Sequence, residues 1–138
     1  LLGALEGFAA GLCCRSATAE DLKEIRALHY EMLAAYTRGD RLGYFHRNQD
    51  IHRAIVRAAR NDVLMEHHGR INARVYRARY LANLKTERWE SAIREHEQIL
   101  DALERRDAET LRRILENHVL QAWDLMQAGS AADRAPTI

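Results

Sequence analysis

Apolar residues recur along this chain at spacings of three and four, and nowhere do they alternate with the period of two that marks a half-buried strand. Six helical segments follow from that period and from start signals. The first covers Leu1 to about Cys14, with Leu2, Leu5, Phe8, Ala9 and Leu12 on one face. The second starts at Thr18, whose hydroxyl can cap the helix while Asp21 answers it as a capping-box variant. It carries Leu22, Ile25, Leu28, His29, Met32 and Leu33 to a stop near Gly39. Asp40 is placed as the cap of the third, which carries Leu42, Phe45, Asn48, His52, Ile55 and Val56 and ends before Asn61. The fourth runs from Asn61 to about Leu84, the fifth from a Thr86 cap to about Arg105, and the sixth from Asp107 to Gly129. Asp107 and Glu109 complement the positive end of that last helix. The small, polar remainder from Ser130 to Ile138 reads as a disordered tail. Because every connection is short, the expected fold is an all-α antiparallel bundle.

Composition narrows the function classes. At 138 residues and 47% hydrophobic content, one domain can bury a core unaided. The 21 basic and 20 acidic residues leave a formal charge of +1, which argues against a surface built to neutralise a phosphate backbone. Cys13 and Cys14 are sequence neighbours in an apolar stretch and read as reduced core residues, which implies a cytoplasmic setting. No apolar run approaches the roughly 20 residues of a membrane span. The chain opens on Leu1, not methionine, and its first residues read as the inside of a helix, so a fragment of a longer protein is expected.

Three helices place a histidine where the core pattern calls for an aliphatic side chain. His96 falls between Ile93 and Ile99, His118 follows Leu111, Ile114 and Leu115, and His52 lies between Phe45 and Ile55. Asn48 stands one turn before His52 on the same face. A single histidine on an apolar face is more often a hydrogen-bonded core residue than a ligand. Three on three helices are harder to satisfy one by one, since each uncompensated polar group costs roughly 1–3 kcal/mol when buried. A shared divalent ion compensates them together; imidazoles with one side-chain oxygen suit zinc first, and also nickel, manganese, cobalt or iron. His29 lies on the core stripe of its helix and is a further candidate for the cavity. His46 is expected off the Asn48 and His52 face, and adjacent His67 and His68 are expected at the surface or edge.

Five segments then carry a family resemblance. Ala4-Leu5-Glu6-Gly7 with Ala17-Thr18-Ala19-Glu20-Asp21-Leu22 resembles the opening of the C-terminal effector domain (FCD) of FadR-like regulators in the GntR family. Asn48-Gln49-Asp50-Ile51-His52-Arg53-Ala54-Ile55 resembles that domain's metal motif, and Glu95-His96-Glu97-Gln98-Ile99-Leu100 and Asn117-His118-Val119 resemble its closing motifs. The likeness extends from about Leu2 to Met126.

It implies a bundle of six or seven helices, residues 1–128, around a metal and ligand cavity, with Asn48, His52, His96 and His118 as metal ligands. It also implies a homodimer that senses a small carboxylate metabolite, and a winged helix-turn-helix for operator DNA that lies outside these residues. Two positions depart from the pattern: Leu2 stands where the family often has arginine, and Ile51 where phenylalanine is usual. The missing carboxylate-binding cation is sought on the fourth helix, where Arg74 and Arg77 share a face and a guanidinium can grip a carboxylate with two bonds. The alternatives are a metal-dependent hydrolase, for which no convincing general base stands out, and a metal-free bundle with a dimerisation role.

Overall fold

A computed structural model describes the backbone of residues 1–82 and 86–132, and the side chains of 1–82 and 88–124. Its six helices are α1 (Leu2–Ser16), α2 (Ala19–Thr37), α3 (Arg41–Ala58), α4 (Asp62–Ala82), α5 (Thr86–Glu104) and α6 (Ala108–Ala132). The described residues contain no strand and no helix long and apolar enough to cross a membrane.

Local chemistry explains most helix ends. Thr18 and Asp21 form the reciprocal capping box at the start of α2: the Asp21 amide donates to Thr18 Oγ1 at 3.2 Å and the Thr18 amide to Asp21 Oδ2 at 2.8 Å. Asp40, Asn61 and Asp107 cap α3, α4 and α6 by accepting from the amides of Gly43, Leu64 and Thr110. At the end of α2, Gly39 takes the left-handed conformation at φ +70°, so that the amides of Gly39 and Asp40 reach back to Tyr36 and Ala35. The same turn closes α5 on Arg106 at φ 54°, a conformation that favours glycine. The Arg106 guanidinium offsets that strain by donating to the carbonyls of Cys14 and Ala17, both at 2.8 Å, which caps the end of α1. α6 continues three residues past Gly129, where the sequence pattern places its stop, while 133–138 and the capping role of Thr86 lie outside what is described.

α1 packs on α6 and α3, α2 on α3 and α5, and α4 bridges α1, α3 and α6. The main core joins Ile25, Leu28 and Met32 of α2 to Tyr44, Ile51 and Ile55 of α3, Trp89, Ile99 and Leu103 of α5, and Leu111 and Leu115 of α6. Cys13 and Cys14 are buried free thiols, as their apolar setting predicts; burial pushes the Cys13 thiol up to about 12.

α1 is rotated from its expected face. Phe8 is 60% exposed, and the buried residues are Leu2, Gly3, Glu6, Gly7, Ala9, Ala10, Cys13 and Cys14. The apolar count favours the Phe8 side, but close approach of α1 to α6 favours the glycine side: a Cβ on Gly3 would lie 3.3 Å from the Glu116 carbonyl oxygen. Leu42, also assigned to a buried stripe, is 52% exposed, and Trp123 of α6 is 47% exposed.

Candidate metal centre

The core face of α3 carries Asn48 and His52, α5 brings His96, and α6 brings His118. All four are buried. One nitrogen from each of the three imidazoles lies within 4.8 Å of the others, a spacing that could hold an ion. The His52 and His118 rings stack with centroids 4.9 Å apart, and His96 stands nearly perpendicular to both.

Two of these imidazoles are fixed from behind by carboxylates. His52 Nδ1 lies 2.6 Å from Glu6 Oε2, and His118 Nδ1 lies 2.5 Å from Glu95 Oε2 and 3.0 Å from Arg88 Nη2. An ionised carboxylate can only accept, so the bond to Glu6 puts the proton on His52 Nδ1 and the lone pair on Nε2, and Glu95 does the same for His118 when it is ionised. Carboxylate–imidazole pairs of this kind set the tautomer and orientation of metal-binding histidines. Each carboxylate is in turn held by an arginine. Arg88 Nη1 lies 2.9 Å from both Glu95 oxygens, while its Nη2 donates to the His118 carbonyl at 3.1 Å. Arg79 Nη1 lies 3.9 Å from Glu6 Oε1 and donates to Asn72 Oδ1 at 2.7 Å.

Several buried atoms in this cluster have no hydrogen-bond partner among the described residues: Asn48 Oδ1, His52 Nε2, and both nitrogens of His96. The Asn48 oxygen, His52 Nε2 and one nitrogen of the neutral His96 ring offer lone pairs of the type that ligate zinc and its neighbours. Burial, reinforced by repulsion from the neighbouring rings, holds His96 and His118 well below the usual imidazole range. Burial lowers His52 against the opposing pull of Glu6. All three are therefore neutral near pH 7, the form that can ligate a cation. Burial alone would raise Glu6, but the His52 contact, the two imidazole hydrogen bonds and the Arg79 charge hold it well below the ordinary carboxylate range. Glu95 moves the other way, because desolvation outweighs its Arg88 pairing. The orphaned donors and oriented rings fit a divalent ion.

A cleft of about 300 Å³ between α5 and α6 is lined by Gln98, Arg113, Asn117 and Gln121 and also by Glu95 and His118 of this centre. Arg74 and Arg77, sought as the carboxylate-gripping pair, are exposed on α4 and do not line it. The buried arginines beside the imidazoles are instead Arg79 and Arg88. His68, expected at the surface, is 2% exposed and bonds Glu6 Oε1 through Nε2 at 3.0 Å, while His67 and His46 are exposed as expected. His29 is buried, its Nδ1 has no partner among the described residues, and burial lowers its pKa.

The sequence held signals for what was missed. Glu6 is the one carboxylate in an otherwise largely apolar helix. His68, Asn72 and Arg79 fall at offsets of four and eleven, which lie on one face of α4.

Comparison with known proteins agrees with this architecture. The model of the FCD domain family matches residues 1–121, a span that includes all four candidate ligands. Among solved structures, E. coli McbR/YncC superposes with a TM-score of 0.83 at 22% identity, covering 94% of this chain and 62% of that one. The present chain thus spans under two thirds of that protein. A search of curated proteins gave no match.

Proposed function

Since the chain belongs to the FCD domain family, the ligand-sensing domain of GntR-type transcription regulators, we propose that it binds one divalent metal, zinc first, and senses a small carboxylate beside it. Asn48 Oδ1, His52 Nε2, His96 and His118 would hold the ion. The carrying observation is that His52, His96 and His118 bring one nitrogen each within 4.8 Å of one another, while Asn48 Oδ1, His52 Nε2 and both His96 nitrogens are buried with no partner among the described residues. When bound, the ion supplies a positive centre for an anionic effector.

The chain's own residues shape what can approach. The α5–α6 cleft carries polar side chains on its walls and includes His118 in its lining. Arg105 and Arg113 line that cleft, and Arg88, 3% exposed and bonded to Glu95 and the His118 carbonyl, would provide a desolvated guanidinium behind its Glu95 and His118 wall. Its charge is worth far more there than at the surface positions of Arg74 and Arg77. His29 stays a candidate for the cavity rim on the α2 side.

Glu6 and Glu95 are the carboxylates nearest the imidazoles, and both are engaged at Nδ1 atoms. Glu6 is fully buried, and Glu95, although it lines the cleft, has both oxygens engaged by Arg88 and one by His118, so a sensor fits better than a hydrolase. Operator DNA would be bound by a winged helix-turn-helix elsewhere in the longer protein, in the cytoplasm. Exposed Leu120 and Trp123 on α6 support a homodimer.

Metal analysis of protein purified without chelator is the direct test. One equivalent in the parent and none in His96→Ala and His118→Ala is expected; a metal-free parent that also ignores added zinc overturns the reading.

A further inference from the structure

Resting on the metal-binding reading above, we propose that Glu6 is a positioning residue that couples the metal centre to α1, so that an ion on His52 restrains the first helix of the domain.

Glu6 is 1% exposed, and an isolated carboxylate at such depth is strongly disfavoured. Its compensation comes from three directions and two other helices. His52 of α3 holds Oε2 at 2.6 Å, His68 of α4 holds Oε1 at 3.0 Å, and Arg79 of α4 stands 3.9 Å from Oε1. Through this one side chain α1, α3 and α4 share a polar knot in the middle of an apolar interface. The knot ends on an imidazole whose other nitrogen, Nε2, has no partner among the described residues; the ring centroid lies 5.3 Å from that of His96 and 4.9 Å from that of His118.

A second observation ties α1 to the same centre from the opposite side. Gly3 and Gly7 lie against Glu116, two residues before His118. α1 therefore touches two helices that bear candidate ligands, one through a hydrogen bond and one by close backbone approach.

Chemistry makes the coupling reciprocal. A cation on Nε2 draws electron density from the ring and strengthens the Nδ1–H bond to Glu6; equally, Glu6 raises the basicity of Nε2. Whatever Glu6 contributes to ion affinity, the ion must return to the hold on α1. Glu95 gives an internal comparison. It plays the same part for His118, but it sits on α5 and at 16% exposure its side chain reaches the cleft. A substitution there should weaken the ion without releasing α1.

The test uses Zn²⁺ alone as probe, with affinity read by competition against a chromophoric chelator and α1 mobility by hydrogen exchange with and without zinc. In the parent, zinc should slow exchange of the α1 amides around Glu6. Glu6→Gln should bind zinc about tenfold or more weakly and lose that slowing, while Glu95→Gln should weaken zinc comparably yet keep it. Glu6→Asp, which keeps the charge and retracts it from His52, should also bind zinc less tightly and serves if the glutamine variant does not fold. A residue that merely filled space would alter the melting temperature of the metal-free protein and leave zinc affinity alone. Parent-like affinity, or parent-like slowing of α1 in Glu6→Gln, overturns the coupling while the metal site stands. Absence of zinc binding in the parent overturns both.

Discussion

Replacing His96 with leucine should change stability in opposite directions with and without metal. His96 is 1% exposed, and neither ring nitrogen meets a partner among the described residues. In the metal-free protein it is a buried polar ring surrounded by two more imidazoles and by Ile99 one turn on. Leaving such a group unsatisfied costs roughly 1–3 kcal/mol, and an aliphatic side chain of similar volume removes that penalty. His96→Leu should therefore stabilise the metal-free protein by about 1–3 kcal/mol, which for a domain of this size raises the melting temperature by roughly 3–10 °C. With zinc at a hundred times its dissociation constant, the parent should gain about 2.7 kcal/mol and the variant nothing. Thermal melts of both proteins in chelator and in zinc supply the four numbers. A His96→Leu protein that is less stable than the parent in chelator would refute the claim that His96 is unsatisfied in the core. One that still gains stability from zinc would remove His96 from the ligand set.

Other substitutions and conditions test neighbouring parts of the argument. Asn48→Asp adds a negative charge among neutral imidazoles, so zinc affinity should rise and affinity for a carboxylate effector fall; if titration calorimetry finds neither moved, Asn48 is not a ligand. In the metal-free protein, His52, His96 and His118 all have folded pKa values below the ordinary 6.5. The unfolded chain then takes up more protons below that pH, so stability is full above about pH 6.5 and declines as the pH falls beneath it, which urea melts from pH 7.5 to 5 would follow. Arg106→Ala removes two hydrogen bonds to the end of α1 while keeping a left-handed non-glycine residue, and should cost roughly 1–3 kcal/mol; Arg106→Gly, which relieves the backbone, should cost less. Trp123→Asp should lower self-association in sedimentation without changing zinc content, and an unchanged assembly state would take Trp123 out of the interface.

The fold was legible because its determinants are local and repeated. The capping box at Thr18, the Asp40 and Asp107 caps and the Gly39 stop act within four residues of themselves, and three- and four-residue periodicity marks which stripes turn inward. What failed was the periodicity argument where one helix meets a neighbour at unusually short range. On α1 the small residues Gly3, Gly7 and Ala10 set the buried face, and Phe8 is displaced outward, because close helix approach selects small side chains over apolar ones. Sequence spacing measures hydrophobicity along a helix; it does not measure how near the neighbouring backbone will come.

The site divides along the same line. His52, His96 and His118 were legible because each breaks an apolar stripe on its own helix. The groups that orient them were not, because Glu6 and Glu95 belong to different helices from the imidazoles they serve, and that pairing exists only after packing. It also changes the charge argument. A neutral set of one amide and three imidazoles suggests a centre carrying its ion's full charge, yet two carboxylates stand directly behind two of the rings. Arg79 and Arg88 stand behind those carboxylates in turn, so the four charges cancel in pairs. An effector that took Arg88 away from Glu95 would leave that carboxylate uncompensated against His118 and bind it more strongly to the ring. On the proposed reading, anion recognition at the cleft and the hold on an ion at His118 would be joined through one side chain. Arg88→Gln should accordingly lower carboxylate affinity and, with Glu95 freed to act on His118, leave zinc affinity equal or higher; a fall in zinc affinity alone would mean that Arg88 supports the centre without reading its ligand.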